Sequence, residues 1–449
     1  MTTPVTTAQH THTQWLGPIP AAWDVIPLKF VATVFPSNVD KHSREDETPV
    51  ELCNYTDVYY NDIISADIDF MKATATSEQI GKFQLRSGDT IITKDSESAD
   101  DIGISAYVPE DLDGVVCGYH LSIIRPGRRV SGRFIKRLFD SHYVKAILET
   151  SANGLTRVGL GQYALDNIDI PVPPLTSQNA IAAFLDHETA KIDALIDKQE
   201  QLIATLREDR AATITQAVTK GLDPDTNFSP SGIDWISEIP DHWSHSRIGY
   251  ACNLLTGFPF RSEGFTDDSD ELPLLRGLNV GVQSIDWSSV VYWPRSESAE
   301  LHPYRLQIGD IVVGLDRPFI GAGTRVAQIG AQDVPSLLLQ RVLRLRATDE
   351  FENRYVAYLL SGQGFVDHLT PMFTGVSVPH ISPGQVASFA IPKPPVHEQR
   401  KIIDFLDVRC AKIDALIGKS TDMIETLREY RSALITNAVT GKIDVREAV

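Results

Sequence analysis

Cysteine and long apolar runs are both scarce in this chain of 449 residues. Its four cysteines form no C-x-x-C pair, which argues against a disulfide framework or a structural zinc site and favours a reducing, cytoplasmic environment. No stretch of about 18 apolar residues occurs, so we expect no transmembrane helix. Residues 1–13 are rich in Thr and His and lack the apolar centre of a signal peptide, so we expect a disordered tail there.

The sequence motifs of common catalytic sites are also missing. There is no Walker phosphate loop, so ATP-driven translocation has no support. No Asn-Pro-Pro-aromatic or Asp-Pro-Pro-Tyr tetrapeptide occurs, which is the signature of an amino-methyltransferase. His242 and His245 have an i, i+3 spacing that suits a metal, but no second group of ligands accompanies them. We therefore predict no metal and no catalytic residue in this chain.

Positive charge is scarce overall, because 41 Lys and Arg face 59 Asp and Glu and leave a net charge of −18. Taken alone, this balance argues against free binding to nucleic acid, since phosphate contacts need cations. Two local runs differ from the average. Residues 114–139 hold six cations and no acid, and residues 317–348 hold five arginines and one acid. Each run is either a solvated strand edge or loop, or a phosphate-binding surface.

An internal repeat is the strongest feature that is present. Residues 170–223 align without a gap on residues 391–444, about 221 residues later, and about 30 of the roughly 54 aligned positions are identical. The segments that open the two halves also match, since Trp23 corresponds to Trp243. Between these regions little remains except Gly-Asp at 88–89 and at 309–310, and a glycine at 154 and at 375. The repeat predicts one frame that carries two different globular domains.

Each repeated segment has the pattern of a long amphipathic helix. Apolar residues recur at steps of three, four and seven, and prolines precede the pattern in both copies. A helix over residues 177–219 would be roughly 65 Å long. A helix of this length must bury its apolar stripe, so we expect the two helices to pair in an antiparallel arrangement. The alternatives are packing of each helix on its own domain, or a homodimeric coiled coil. The residues expected to pack are Ile192, Leu195, Leu206, Ile413, Leu416 and Leu427.

The domain interiors combine short apolar runs, typical of strands, with helical stretches at 134–148 and 351–360. We therefore expect an α+β (mixed α/β) fold in which two globular domains are separated by two long antiparallel helices, with a pseudo-two-fold internal repeat. The expected segments are a tail at 1–13, a first domain at 14–173, a helix at 174–221, a linker at 222–233, a second domain at 234–394, a second helix at 395–443 and a tail at 444–449.

Several segments resemble the specificity subunit of type I restriction–modification systems, over essentially the whole chain after Thr13. The segments similar to its target recognition domains are 54–59, 93–97, 118–121 and 154–157 in the first half, and 273–277, 309–310 and 316–319 in the second. Residues 231–236 and 239–243 are similar to the family's segment that opens a recognition domain. The first repeat has Thr176-Ser177-Gln178 where the second has His397-Glu398-Gln399, the more usual family form.

The resemblance implies a DNA-binding subunit without catalysis of its own, acting in phage defence. It would join two methyltransferase subunits, which bind S-adenosylmethionine, and two motor-endonuclease subunits, which use ATP and Mg. Each domain would read one half of a split, asymmetric site, and the paired helices would set the length of the unread spacer. The chain itself would hold no cofactor. The remaining alternatives are a self-contained DNA methyltransferase or nuclease with unrecognised motifs, and a coiled-coil scaffold that does not touch DNA.

Candidate DNA-binding residues follow from the side chains that suit base edges, because Arg and Lys pair with guanine, and Asn and Gln with adenine. In the first half they are Asn54, Tyr55, Lys94, Ser96, Tyr119, His120 and Arg157. In the second half they are Arg276, Asn279, Arg317, Arg325, Gln340, Arg341 and His380. Arg125, Arg128 and Arg129 are predicted to contact phosphates rather than bases.

Overall fold

A computed structural model describes residues 16–154, 156–321, 323–373 and 379–445. The expected tail at 1–13, most of the expected tail at 444–449, and the repeated glycine at 375 lie outside these residues. The chain divides into two compact units, of which the first comprises Met1–Glu200 with Thr421–Val449 and the second comprises Gln201–Ser420. Each unit therefore contains one part of each long helix.

The first unit is a β-rich domain with short helices around it. Its strands are β1 (Asp24–Pro27), β2 (Ala32–Pro36), β3 (Thr48–Cys53), β4 (Met71–Ala75), β5 (Thr90–Thr93), β6 (Asp95–Ser96), β7 (Ser105–Tyr107), β8 (Val115–Cys117), β9 (Leu121–Pro126), β10 (Val158–Gly159) and β11 (Asp169–Val172). Its helices are α1 (Tyr55–Tyr60), α2 (Ser77–Phe83), α3 (Gly132–Phe139), α4 (His142–Ser151), α5 (Gln162–Asp166) and the start of α6 (Leu175–Lys220).

The second unit has a similar composition. Its strands are β12 (Phe228–Ile233), β13 (Ile236–Pro240), β14 (Ser244–Arg247), β15 (Cys252–Thr256), β16 (Leu272–Leu275), β17 (Tyr292–Trp293), β18 (Ile311–Gly314), β19 (Phe319–Ile320), β20 (Gly323–Thr324), β21 (Val326–Gln328), β22 (Leu337–Leu338), β23 (Val342–Ala347) and β24 (Ala390–Lys393). Its helices are α7 (Ile248–Ala251), α8 (Asn353–Ser361), α9 (Gln363–Leu369), α10 (Pro383–Ser388) and the start of α11 (Val396–Val439).

The two units share one sheet topology. A four-stranded antiparallel sheet has the order β2-β9-β5-β7 in the first unit and β15-β23-β18-β21 in the second. A three-stranded sheet has the order β4-β3-β8 in the first and β17-β16-β22 in the second, and its pairs β3–β8 and β16–β22 are parallel. The domain interiors thus repeat the same fold although their sequences share little, and the predicted α+β class with its internal repeat is confirmed.

One predicted helix is interrupted. The pattern at 134–148 is divided between α3 and α4, because Ser141 accepts a hydrogen bond from the Val144 amide and caps a new helix. The long helix predicted at 177–219 spans Leu175–Lys220, directly after Pro173 and Pro174.

The two long helices pack together within each unit. In the first unit, Ile181 and Leu185 of α6 share a core with Leu434 and Ala438 of α11. Ion pairs there join Asp193 to Arg431 and Glu200 to Arg428, so the two segments run antiparallel. The second unit has an equivalent core. Its helix residues are Ile214, Ala217 and Val218 of α6 with Ile402, Leu406 and Cys410 of α11.

The predicted packing residues differ in burial. Ile192 and Ile413 are buried, and Leu206 and Leu427 are half-buried. Leu195 and Leu416 are 47% and 50% exposed and lie outside the apolar cores of the described residues. The prediction that Leu195 and Leu416 pack between the two helices is therefore corrected, because both side chains face outward from the helix seam. A contact of the pair with another subunit stays a prediction.

One arginine in each unit joins both helices to the adjacent domain. In the first unit, Arg431 of α11 lies 2.8 Å from the Asp193 carboxylate of α6 and 4.0 Å from Asp62 of the domain. In the second unit, Arg210 of α6 lies 2.9 Å from Asp414 of α11 and donates a hydrogen bond to Gln283 of the domain. The arginines and the helix aspartates of the two sets are related by the sequence repeat, and in both units the arginine also contacts a residue of the adjacent domain.

A buried glutamine fixes the start of each long helix. Gln178 is fully buried, and its amide accepts a hydrogen bond from the Ser131 backbone and donates to the Arg129 and Pro173 carbonyls, each at 2.8 Å. Gln399, its repeat partner, makes the same three kinds of bond with Glu352, Glu350 and Pro394 at 2.8–2.9 Å. This explains why the glutamine is kept where the two flanking residues differ.

We expect Gln399→Ala to lower the free energy of unfolding of the second unit by about 2 kcal/mol, because three buried backbone groups lose their partner. Urea unfolding followed by circular dichroism measures the change. Gln201→Ala is the matched control, because Gln201 is exposed on α6. Equal stability of the two variants would contradict the structural role of Gln399.

Candidate nucleic-acid interface

The candidate base-reading residues of the first unit gather at one edge of its sheets. Strands β3 and β8 are parallel and end side by side at Cys53 and Cys117, so Asn54-Tyr55 and Tyr119-His120 follow at the same edge. Strand β5 ends there too, and the Lys94 amide donates to the His120 carbonyl at 2.9 Å. Ser96 pairs with Val158, the residue after Arg157. Residues that are distant in sequence therefore form one polar surface.

A carboxylate holds a lysine and a histidine of this surface in place. The Asp95 Oδ2 atom accepts a hydrogen bond from Lys94 Nζ at 2.9 Å and lies 3.0 Å from His120 Nδ1. Burial by itself would raise the pKa of Asp95, but the hydrogen bonds from His120 and Lys94 outweigh it and hold the pKa below its usual value. The Tyr119 ring lies 3.7 Å from the His120 ring, centroid to centroid, and restricts its orientation.

Two of the candidates are used by the fold itself. The Asn54 Oδ1 atom caps helix α1 by accepting hydrogen bonds from the Thr56 and Asp57 amides, so the oxygen of its side-chain amide is committed to the backbone. Tyr55 interacts with the Ser96 side chain, and burial raises the pKa of its hydroxyl. Asn54 therefore has a capping role in the fold. Ser96 is 3% exposed, so its predicted contact with DNA is corrected, whereas Tyr55 is half-buried at this edge and stays a candidate.

The basic run at 114–139 is largely neutralised in three dimensions. Acids from other segments reach its cations and form ion pairs, which are Arg125–Asp89, Arg129–Asp24, Arg133–Asp186, Arg137–Asp186, Lys136–Asp62 and Lys136–Asp140. Among the described residues, Arg128 is the one cation of this run for which no ion pair is found. The prediction that Arg125 contacts phosphates is therefore revised, because its carboxylate partner is fully buried. Phosphate contacts of Arg128 and of the exposed Arg129 stay a prediction.

Arg125 belongs to a buried structural contact that occurs in both units. Its guanidinium donates two hydrogen bonds, at 2.8 and 2.7 Å, to the carboxylate of Asp89, which is fully buried. Arg346 makes the same two-pronged contact with Asp310 at 2.5 and 2.9 Å. The Gly-Asp pair that survives in both halves of the sequence is thus the acidic side of this contact, and Gly88 and Gly309 adopt positive φ angles beside it.

The candidates of the second unit gather at the corresponding edge. Strands β16 and β22 are parallel, and Arg276 and Gln340 follow their carboxyl ends. Strand β18 leads to Leu315, whose amide donates to the Arg341 carbonyl at 3.0 Å. The Arg317 amide donates to the Pro379 carbonyl at 2.7 Å, next to His380. Arg317, Gln340 and Arg341 expose their side chains at this edge.

Two further predictions in this unit are corrected. Asn279 is 0% exposed, and its amide oxygen and nitrogen bond the Arg276 amide and the Asp286 carbonyl. Arg325 is 9% exposed and donates to the carbonyls of Val280 and Asp316. Burial lowers the pKa of Arg325, which fits a structural cation. Arg276 is half-buried and also donates to a carbonyl, that of Ser289.

Two exposed arginines of this edge have an unusual backbone conformation. Arg317 and Arg341 have φ angles of 45° and 72°, which residues with a side chain rarely adopt. Asp316 lies between them, 3.6 Å from Arg341. Strained residues of this kind concentrate at binding sites, because the surrounding structure must hold them in place.

The residues with metal-like spacing are used in structural contacts. His242, considered as a metal ligand, lies 2.9 Å from the Glu398 carboxylate, which also accepts a hydrogen bond from the Trp243 indole. Across the described ranges, no cluster of three or more His, Cys, Asp or Glu side chains is arranged to hold a metal ion. No helix in the described part of the chain is both long and apolar enough to cross a membrane.

The two sheet edges thus define a protein with two similar domains, each presenting cationic and amide side chains at one surface. The profile of the type I restriction modification DNA specificity domain matches residues 21–205. The MjaVIII specificity subunit of Methanocaldococcus jannaschii is 27% identical over 299 residues, which are 66% of this chain and 67% of that protein. The EcoKI specificity subunit of Escherichia coli is 22% identical over 444 residues, 95% of this chain and 90% of that one.

A solved structure supports the fold. A chain from work on complex assembly and conformational transition of the type I R-M system superposes with a TM-score of 0.69. The match covers 95% of this chain and 100% of that chain at 17% identity, so it bears on the fold alone. The present chain belongs to the specificity-subunit family of type I restriction–modification systems, whose members are non-catalytic subunits that determine DNA specificity and carry no cofactor.

Proposed function

We propose that each unit of this specificity subunit reads one half of a bipartite, asymmetric DNA site. The observation that carries the proposal is the clustering of side chains at the equivalent sheet edge of each unit. Lys94 and His120 stand at this edge in the first unit, and Arg317 and Arg341 in the second. Lysine and arginine suit guanine in the major groove, whereas the exposed Gln340 suits adenine. The two edges differ in residue type, so the two half-sites differ in sequence.

In this proposal, the paired helices set the length of the unread DNA between the two half-sites. Half-site centres one turn of DNA apart are about 34 Å from each other. Helix α6, with 46 residues, is roughly 69 Å long and could span that distance. Its pairing with α11 within each unit stiffens it.

The helices would also dock two methyltransferase subunits, one at each equivalent position of the repeat. Leu195 and Leu416 are exposed apolar side chains at related positions, as expected of two equivalent contacts. The complete assembly would include two motor-endonuclease subunits and double-stranded DNA. S-adenosylmethionine would be bound by the methyltransferases, and ATP and Mg by the motor subunits.

The test is the methylation pattern of a host that carries this chain with its methyltransferase subunit. We expect methylation at a motif of two short specified clusters separated by an unspecified gap of fixed length. The purified chain incubated alone with DNA and S-adenosylmethionine should transfer no methyl group. Methyl transfer by the chain alone would identify a self-contained methyltransferase, and a continuous motif would exclude the bipartite site.

Arg128 provides a separate test of the phosphate contacts. We expect Arg128→Ala to weaken DNA binding by the assembled methyltransferase equally for all sequences and to reduce the salt dependence of binding by about one charge. Because Arg128 has no ion pair in the described residues, the melting temperature should not change. Arg133→Ala is the matched control, since Arg133 pairs with Asp186. A larger salt effect of Arg133→Ala would contradict the assignment.

A further inference from the structure

A pocket of about 480 Å³ opens in the second unit, away from the proposed base-reading edge. It adjoins the amino ends of β16 and β22, whereas Arg276 and Gln340 follow the carboxyl ends of the same strands. Four residues separate the two ends, about 13 Å along the strand. Its lining includes Arg295, Ser298, Arg305 and Ser336.

The charged side chains of this lining are two arginines. The Arg295 Nε atom donates to the Asp270 carbonyl at 2.9 Å, which fixes the plane of the guanidinium. Arg305 Nη2 lies 3.5 Å from the hydroxyl of Ser298, which in turn donates to the Arg295 carbonyl at 2.8 Å. Ser298, which is buried, therefore connects the Arg305 guanidinium to the backbone of Arg295, and both arginine side chains are exposed to solvent.

A second serine supplies an independent observation. Ser336 is 2% exposed, and its hydroxyl is buried without a hydrogen-bond partner among the described residues. Its carbonyl accepts a hydrogen bond from the Leu306 amide at 3.0 Å, so the backbone is held in place. Buried hydroxyl groups almost always have a partner. Ser336 thus lines a pocket that also contains two arginines, and its hydroxyl has unused hydrogen-bonding capacity.

We propose that this pocket binds a phosphate group, with Arg295 and Arg305 as the cations and the Ser336 hydroxyl as a donor. Guanidinium groups match the geometry of phosphate oxygens and form charge-assisted hydrogen bonds with them. The carboxylate of Glu271 accepts a hydrogen bond from the Arg295 amide at 2.6 Å, outside the lining. Its charge offsets part of one arginine, so binding needs both cations.

The volume of the pocket indicates what the phosphate is attached to. About 480 Å³ lies within the range of small-molecule sites and exceeds the need of a lone phosphate ion. The phosphate therefore belongs to a larger group, which is either a free nucleotide or a nucleotide of the DNA backbone. Binding of a nucleotide of the DNA backbone rests on the proposed function, whereas binding of a free nucleotide does not.

The experiment is calorimetric titration of the full chain with adenosine 5′-monophosphate and with inorganic phosphate. We expect saturable binding of both, tighter for the nucleotide. Arg305→Ala should weaken it at least tenfold, and Ser336→Ala several-fold without lowering the melting temperature, because the hydroxyl has no partner to lose. Arg261→Ala, which removes an exposed arginine elsewhere in this unit, should bind as the native chain does.

Absence of saturable binding, or equal affinity of the native, Arg305→Ala and Ser336→Ala chains, would overturn the proposal. A competition arm identifies the source of the phosphate. If a DNA duplex containing the methylated motif displaces the nucleotide, and Arg305→Ala weakens duplex binding, the pocket holds a backbone phosphate. If the nucleotide stays bound in the presence of saturating duplex, the ligand is a free phosphate compound. Failure of the duplex to bind at all would count against the proposed function and leave the nucleotide result standing.

Discussion

Replacing Asp89 with alanine is expected to lower the free energy of unfolding of the first unit by about 3 kcal/mol. The carboxylate is fully buried, accepts both prongs of Arg125, and also accepts the Arg86 amide at 2.9 Å. Its removal leaves an arginine and a backbone amide unpaired, and loss of one partner of a buried pair costs about 3–5 kcal/mol. We expect the low end because one-fifth of the Arg125 side chain is in contact with water.

Thermal unfolding of the full chain checks this, and a loss of this size in a unit of some 200 residues corresponds to roughly 6–12 °C in melting temperature. Asp67→Ala is the matched control, because Asp67 is exposed in the same unit. Asp310→Ala should destabilise the second unit in the same way, since Arg346 loses both hydrogen bonds. A melting temperature for Asp89→Ala within about 2 °C of the control would show that water replaces the carboxylate at little cost.

The same carboxylates show what the sequence could and could not predict. The Gly-Asp pair was visible as the remnant of similarity between the domain interiors, but its role was not, because its arginine partner lies 36 residues away along the chain. In the sequence, Arg125 lies among other cations, and it was therefore predicted to contact phosphates. A run of like charges in sequence says nothing about the acids that folding brings to it from Asp24, Asp62, Asp89 and Asp186.

The helices were predictable because their information is local. Apolar periodicity over some 40 residues defines a helix and its buried stripe, and prolines mark where it begins. The sheets of the interiors were less predictable, since strand order depends on pairings between distant segments. The shared order of the two four-stranded sheets therefore emerged from the structure, although similarity between the interiors had nearly vanished.

The sequence predicted the location of the candidate site better than it predicted the individual residues that form it. The residues chosen for their side-chain chemistry follow strand ends, and parallel pairing brings β3 beside β8 and β16 beside β22, so they converge. Burial then distinguishes the candidates that can reach DNA from those that cannot. Asn279 and Arg325 have the right chemistry for bases, but both side chains are buried. Asp95, which holds the half-buried candidates Lys94 and His120, was not chosen, since an acid is not expected to face DNA.

Replacing Lys94 with alanine is expected to weaken specific DNA binding about 10- to 100-fold, the range of one good base contact of about 1–3 kcal/mol. The loss should relax the sequence requirement in one half-site and leave the other half-site and the spacer unchanged, because Lys94 belongs to the first unit alone. Methylation profiling of native and variant subunits, each assembled with the methyltransferase, measures this. Lys72→Ala is the control, since Lys72 is exposed on β4. Relaxation of both half-sites would contradict an assignment to base reading.

Asp95→Asn separates positioning from charge at the same site. This variant removes the carboxylate that holds Lys94 and His120 but adds no negative charge, so a purely electrostatic role of Asp95 predicts tighter DNA binding. A positioning role predicts the opposite, namely retained nonspecific affinity with reduced discrimination at the first half-site. The pKa of Asp95 is lowered in the fold, so its stabilising contribution is complete above the unfolded pKa of about 4 and is lost only as pH falls further. Asp95 stays ionised between pH 5 and 8, so protonation of Asp95 itself should not alter the discrimination of the native chain across that range.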